Sequence, residues 1–158
     1  MNTENKKLST LIGKIHTIAK SRLAAGYEDR NGINEHQVTP CHHALTLLGG
    51  DDFAESYLPF LRNVNGFELN GVRLFGYFDD KGDERDLRKQ LADLKAFPEL
   101  FPDAFNDWVL IGETDTDILI FNKKNGSYEN RDRIGLDRLN ESYDDIVGLL
   151  ISLMPLIE

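Results

Sequence analysis

The chain has 158 residues, a formal net charge of −9 and one cysteine, Cys41. That length supports a single domain, expected to span residues 1–158, with a core that needs no staples, and a lone cysteine excludes the disulfide-built secreted scaffolds. With 27 acidic against 18 basic residues, the field repels nucleic-acid phosphate and anionic lipid and attracts basic partners.

The N-terminal run Met1-Asn2-Thr3-Glu4-Asn5-Lys6-Lys7 leads into an amphipathic stretch, not an apolar signal core. No stretch reaches the roughly 18 apolar residues that span a bilayer, so a cytoplasmic location is expected. Leu8, Leu11, Ile12, Ile15, Ile18, Ala19 and Leu23 fall at steps of three and four, with Lys6, Lys14, Lys20 and Arg22 on or near the wet side. This predicts a helix over 5–25, ended by Gly26 and packed on the rest of the domain or on a second copy. A polar loop is expected over 27–39.

Pro40 is expected to open a short helix over 41–48, stopped by Gly49-Gly50. A third helix is expected over 53–64, with Tyr57, Phe60, Leu61 and Val64 on one face. Pro59 fits it only if the helix starts near Ser56, since the first turn has no intrahelical acceptor to lose. The period then changes. Phe67, Leu69, Val72, Leu74 and Tyr77 predict two short strands turning at Asn70-Gly71. A charged turn over 79–83 precedes a helix over 84–97. The β-rich runs 108–112 and 118–121 are joined by the acidic turn Glu113-Thr114-Asp115-Thr116, and Asn125-Gly126 turns into a strand over 127–131. Ser142 is expected to cap a final helix carrying Ile146, Leu149, Leu150 and Leu153, with Asp144 and Asp145 in its first turn. Helices first, hairpin-linked strands next and a helix last predict an α+β fold, an antiparallel sheet of about four to six strands flanked by helices.

This order resembles the SUKH (SMI1/KNR4-like) superfamily of bacterial immunity proteins. The resemblance is carried by Phe53-Ala54-Glu55-Ser56-Tyr57-Leu58-Pro59-Phe60-Leu61 leading to Val64-Asn65-Gly66-Phe67, then by Asn70-Gly71-Val72-Arg73-Leu74-Phe75-Gly76. It continues through Trp108-Val109-Leu110-Ile111-Gly112, Asp117-Ile118-Leu119-Ile120-Phe121 and Ser142-Tyr143-Asp144-Asp145-Ile146-Val147. Two positions depart from it: Ala54 stands where the family usually has proline, and Thr116 replaces a glycine before the Asp-led strand. The resemblance implies a chain with no chemistry and no cofactor, which binds and neutralises a toxin domain such as a nuclease. The same superfamily includes fungal regulatory adaptors, and the sequence does not separate the two roles.

Binding a cationic partner calls for an acidic, rigidly held face with apolar anchors. The candidates are Asp79, Asp80, Asp83 and Glu84, then Glu113, Asp115 and Asp117, two stretches that flank strands and would converge at one end of the sheet. They read equally as solubilising loop residues. Asp51 and Asp52 are expected to cap and charge a helix start. His36, Cys41, His42 and His43 are residue types that suit zinc, but adjacent histidines on a helix point about 100 degrees apart. Glu113, Asp115 and Asp117 are types that suit a hard cation, yet no Gly-rich phosphate loop accompanies them. A metal-dependent hydrolase is the further alternative that these two sets motivate, although no metal site, nucleophile elbow or dinucleotide fingerprint is expected.

Overall fold

In a computed structural model, residues 3–21, 31–97, 99 and 103–158 are described. The end of the predicted first helix, including Leu23 and Gly26, lies outside them. The chain is α+β. Among the described residues there are five α-helices and one antiparallel sheet of six strands that pair in chain order.

Helix α1, Thr3–Lys20, buries Leu8, Leu11, Ile12, Ile15 and Ala19, the predicted stripe. It packs on α3 and α5. Helix α2, Glu35–Gly49, begins well before Pro40. Asn34 and Gln37 form a capping box that starts the helix, with the Asn34 N–H donating to Gln37 Oε1 at 3.1 Å. Helix α3, Asp51–Asn63, also contradicts the sequence expectation, for Pro59 lies in its interior. Pro40, Pro59 and Pro155 each withhold a donor from the carbonyl four residues back. Those carbonyls belong to His36, Glu55 and Ile151, all exposed, where water can replace the lost bond. Asp51 and Asp52 occupy the first turn of α3 behind Gly50, which is the cap residue and has no side chain to donate or accept.

Strands β1, Phe67–Leu69, and β2, Val72–Leu74, pair through the Asn70-Gly71 turn. Asn70 and Gly71 both take positive φ, 52° and 80°, the turn whose twist matches a hairpin. Helix α4, Leu87–Lys95, starts later than predicted because Asp86 caps it, accepting from the Arg88 N–H. A 3-10 turn at Asp103–Asn106 leads into β3, Trp108–Glu113, and β4, Asp117–Asn122. Strand β5, Ser127–Asp132, follows the Asn125-Gly126 turn. Strand β6, Leu139–Tyr143, was not expected, and it absorbs Ser142, which pairs with Glu129 instead of capping a helix. The cap of α5, Ile146–Ile157, is Asp145, which accepts from the Gly148 N–H.

Alternation sorts the sheet into two faces. Val109, Phe121 and Tyr128 are in register, and the last two meet α3 at Phe53 and Ser56. Ring pairs run from Phe67 through Phe60, Tyr57 and Phe53 to Phe121 and Tyr128, with centroids 5.0 to 6.5 Å apart. On the other face Trp108 is covered edge-on by Phe105 at 5.6 Å and by the Arg131 guanidinium at 4.3 Å. Arg131 in turn bonds Glu129, whose buried carboxylate also accepts from Asn122 and Ser127. Both faces of the sheet's middle are therefore closed.

Candidate functional site

At the end of the sheet where β1–β2, β3–β4 and β5–β6 turn, Glu68, Gly71, Arg73, Glu113, Thr114, Asp115 and Arg133 line a polar cleft of about 260 Å³. Cross-strand register places Glu68, Arg73 and Glu113 side by side. Arg73 donates to Glu68 at 3.0 Å and to Glu113 at 3.3 Å, and this pairing raises its pKa. Arg133 completes the arrangement, 3.4 Å from the other Glu113 oxygen. Glu113 is thus held between two guanidiniums, and its charge is largely spent inside the chain.

Thr114 is buried and organises the turn: its N–H reaches Asp117 O at 2.9 Å, and its hydroxyl accepts from the Asp117 N–H at 3.0 Å. Asp117 also accepts from Asn140 at 3.2 Å. Asp115 sits at the tip, exposed, its carboxylate beside Gly71. Among the described residues it has no hydrogen-bond or ion-pair partner.

The β5–β6 loop joins this rim through Arg133, whose N–H donates to Thr116 O at 3.1 Å. Asp132 pins the loop by accepting from the N–H groups of Ile134 and Gly135 at 2.8 and 2.7 Å. These bonds favour the carboxylate and lower its pKa. The loop presents Ile134 almost wholly to solvent, at 96% exposure. Ile134 was not singled out from the sequence, because the loop is recognisable only once β6 is known to follow it.

The second predicted stretch lies elsewhere. Moving along β2 from Arg73 to Phe75 runs down β3 from Glu113 to Ile111, so residues 79–80 follow the opposite end of the strand. Asp79 accepts from Gln37 on α2, Asp80 from the Gly82 N–H, and Asp83 holds Arg85 through both oxygens. Only Glu84 turns back, close enough to act electrostatically on Arg73, while standing 3.8 Å from Lys89. Of the second stretch, Glu84 is thus the residue whose charge reaches Arg73 of the rim.

The zinc-type residues on α2 do not assemble. Cys41 is fully buried and burial pushes its thiol up to about 12. His42 faces Glu55 at 3.4 Å, whereas His36 and His43 are exposed. Among the described residues no three His, Cys, Asp or Glu side chains come together as metal ligands. No helix among them is long and apolar enough to cross a membrane. No protein-family model matches the chain, and no curated protein matches its sequence.

Proposed function

We propose that the chain is a non-enzymatic binding protein that grips a basic protein domain at this rim, in the manner of an immunity protein neutralising a toxin. The observation that carries this reading is the pairing of Asp115 and Ile134 on joined loops: one free carboxylate and one fully presented apolar side chain, both on tightly bonded turns. Preorganised loops lose little entropy on docking, an apolar anchor supplies affinity, and an unneutralised carboxylate steers a cationic surface. The order of motifs that resembles the SUKH superfamily supports a toxin domain as that partner. Asp79, Asp80 and Asp83 belong to a separate acidic patch, which adds to the field and lies apart from the anchor.

The test is co-expression and calorimetry with any toxin domain that a neighbouring gene encodes, and a neighbourhood without one counts against the reading. A stoichiometric complex that protects the cell, and that weakens with Asp115→Lys and Ile134→Asp, is the expected result. A missing complex, or full affinity in both variants, overturns the reading.

A further inference from the structure

A second surface has the opposite character. Helix α1 carries four lysines against one glutamate in a chain of net charge −9, and α5 carries no charged side chain. The two helices run side by side and leave a furrow between them. Its first stretch, about 380 Å³, lies among Lys6, Lys7, Leu11, Val147 and Ile151. A second, about 410 Å³, shares Thr10 and Lys14 with it and continues past Gly13, Thr17 and Met154 to Glu158, so the uncompensated positive charge belongs to the first stretch. The floor is apolar. Ile151 stands 58% exposed, and the hydroxyls of Thr10 and Thr17 are turned back onto the carbonyls of Lys6 and Gly13 at 3.0 Å each. Lys6, Lys7 and Lys14 form no ion pair among the described residues.

We infer that this furrow seats an amphipathic helix of a partner protein whose apolar edge enters between α1 and α5 and whose flank carries carboxylates for Lys6, Lys7 and Lys14. Charge selects the occupant. Two-fold packing of the furrow on a second copy would set these lysines against themselves, and like charges at an interface oppose association. A bilayer would need a broad run of protruding apolar side chains. Of the apolar residues lining the first stretch, Leu11 and Val147 are buried and Ile151 alone stands out, an opening between two helices that suits a third. Helix α1 is 18 residues long, about 27 Å at 1.5 Å per residue, so the seat holds four to five turns. This face is built from helices alone and does not depend on the rim at the sheet's turns.

The experiment uses the full chain and a fluorescent peptide as long as α1, with leucines at helical spacing and glutamates on both flanks. A second peptide carries lysines in place of the glutamates, and vesicles of phosphatidylcholine with phosphatidylglycerol serve as the lipid arm. The expected results are binding of the glutamate peptide alone and amide shifts confined to α1 and α5. Lys6→Glu/Lys14→Glu and, separately, Ile151→Asp should each weaken binding about tenfold, with unchanged thermal midpoints because all three positions face solvent. Equal binding of the lysine peptide, undiminished binding by both variants, no peptide binding, or capture by vesicles in place of peptide would overturn the inference.

Discussion

The hydroxyls of Ser56 and Tyr128 meet at 2.6 Å, joining α3 to β5 beneath the sheet. Ser56 also donates to Phe53 O at 3.2 Å, so its proton is spent and Tyr128 is the donor between them. Tyr128 is fully buried. Removing its hydroxyl leaves a part-buried serine oxygen without that donor, which costs about 1–2 kcal/mol. Tyr128→Phe should lower the urea midpoint accordingly. The double variant Tyr128→Phe/Ser56→Ala should cost less than the sum of the singles; simple additivity would show that the two groups are not coupled.

Alkali should unfold the chain earlier than its acidic composition suggests. Burial raises the phenols of Tyr57 and Tyr128 above their ordinary 10.0, and moves the Cys41 thiol from 9.0 to about 12. The unfolded chain ionises these groups at ordinary values, so above pH 9 it binds fewer protons than the native chain. Stability from this source is complete below pH 9 and declines as pH rises toward 12. Each group that ionises only when unfolded adds a slope of about 1.4 kcal/mol per pH unit. Urea midpoints measured from pH 8 to 10.5 should fall first through Cys41 and then through the tyrosines. Cys41→Ala should flatten the segment between pH 9 and 10, and an unchanged slope there would remove the thiol from the account.

Hairpins were the most legible part of the sequence, because their signals are local. Asn70-Gly71 specifies positive φ at two adjacent residues, and Asn125-Gly126 closes β4 onto β5. The buried runs of β3 and β4 are equally plain in their apolar residues. Strand β6 was hidden for a physical reason. It is an edge strand, exposed along most of its length, and the ladder to β5 holds it where burial does not. The start of α2 was present as Asn34 and Gln37 but was obscured by Pro40, which marks helix starts more often than interiors. The rim was half legible. Glu113, Asp115 and Asp117 were visible as charges, but which of them is already neutralised depends on Arg73 and Arg133, brought in from other strands.

Gly66 offers a sharp test of the turn into β1. It sits at φ 71°, and a Cβ there would fall 2.4 Å from Leu74 O. The neighbouring Asn65 side chain binds the Tyr77 backbone twice, donating to its carbonyl at 2.8 Å and accepting from its N–H at 2.7 Å, so the segment cannot relax freely. Gly66→Ala should destabilise by more than about 1 kcal/mol, read from the urea midpoint. A neutral result would mean that the backbone yields.

Asp86 is the buried charge on which the start of α4 depends. It is fully buried and accepts from the N–H groups of Phe78 and Arg88 and from two guanidinium nitrogens of Arg88, at 2.7 to 3.0 Å. The same bonds raise the Arg88 pKa. Asp86→Ala strands a half-buried guanidinium and two amides, and should cost about 3–5 kcal/mol. Asp86→Asn keeps an acceptor for the cap and should cost visibly less. Equal losses in urea unfolding would mean that the charge contributes nothing beyond the cap.

The two residues proposed to grip a partner should act on different rate constants. Asp115 is a solvent-exposed charge, so its contribution is long-range steering. Asp115→Asn should slow association several-fold at low ionic strength, and the difference should fade near 1 M salt, where the screening length is about 3 Å. Ile134 contributes only after contact, by leaving water. Ile134→Ala should leave association nearly unchanged and speed dissociation about tenfold, the equivalent of about 1.4 kcal/mol. Stopped-flow or surface-bound kinetics with the protein captured at this rim separates the two effects. Should Asp115→Asn alter only dissociation, its carboxylate is a buried contact in the complex, and the steering role assigned to it is wrong.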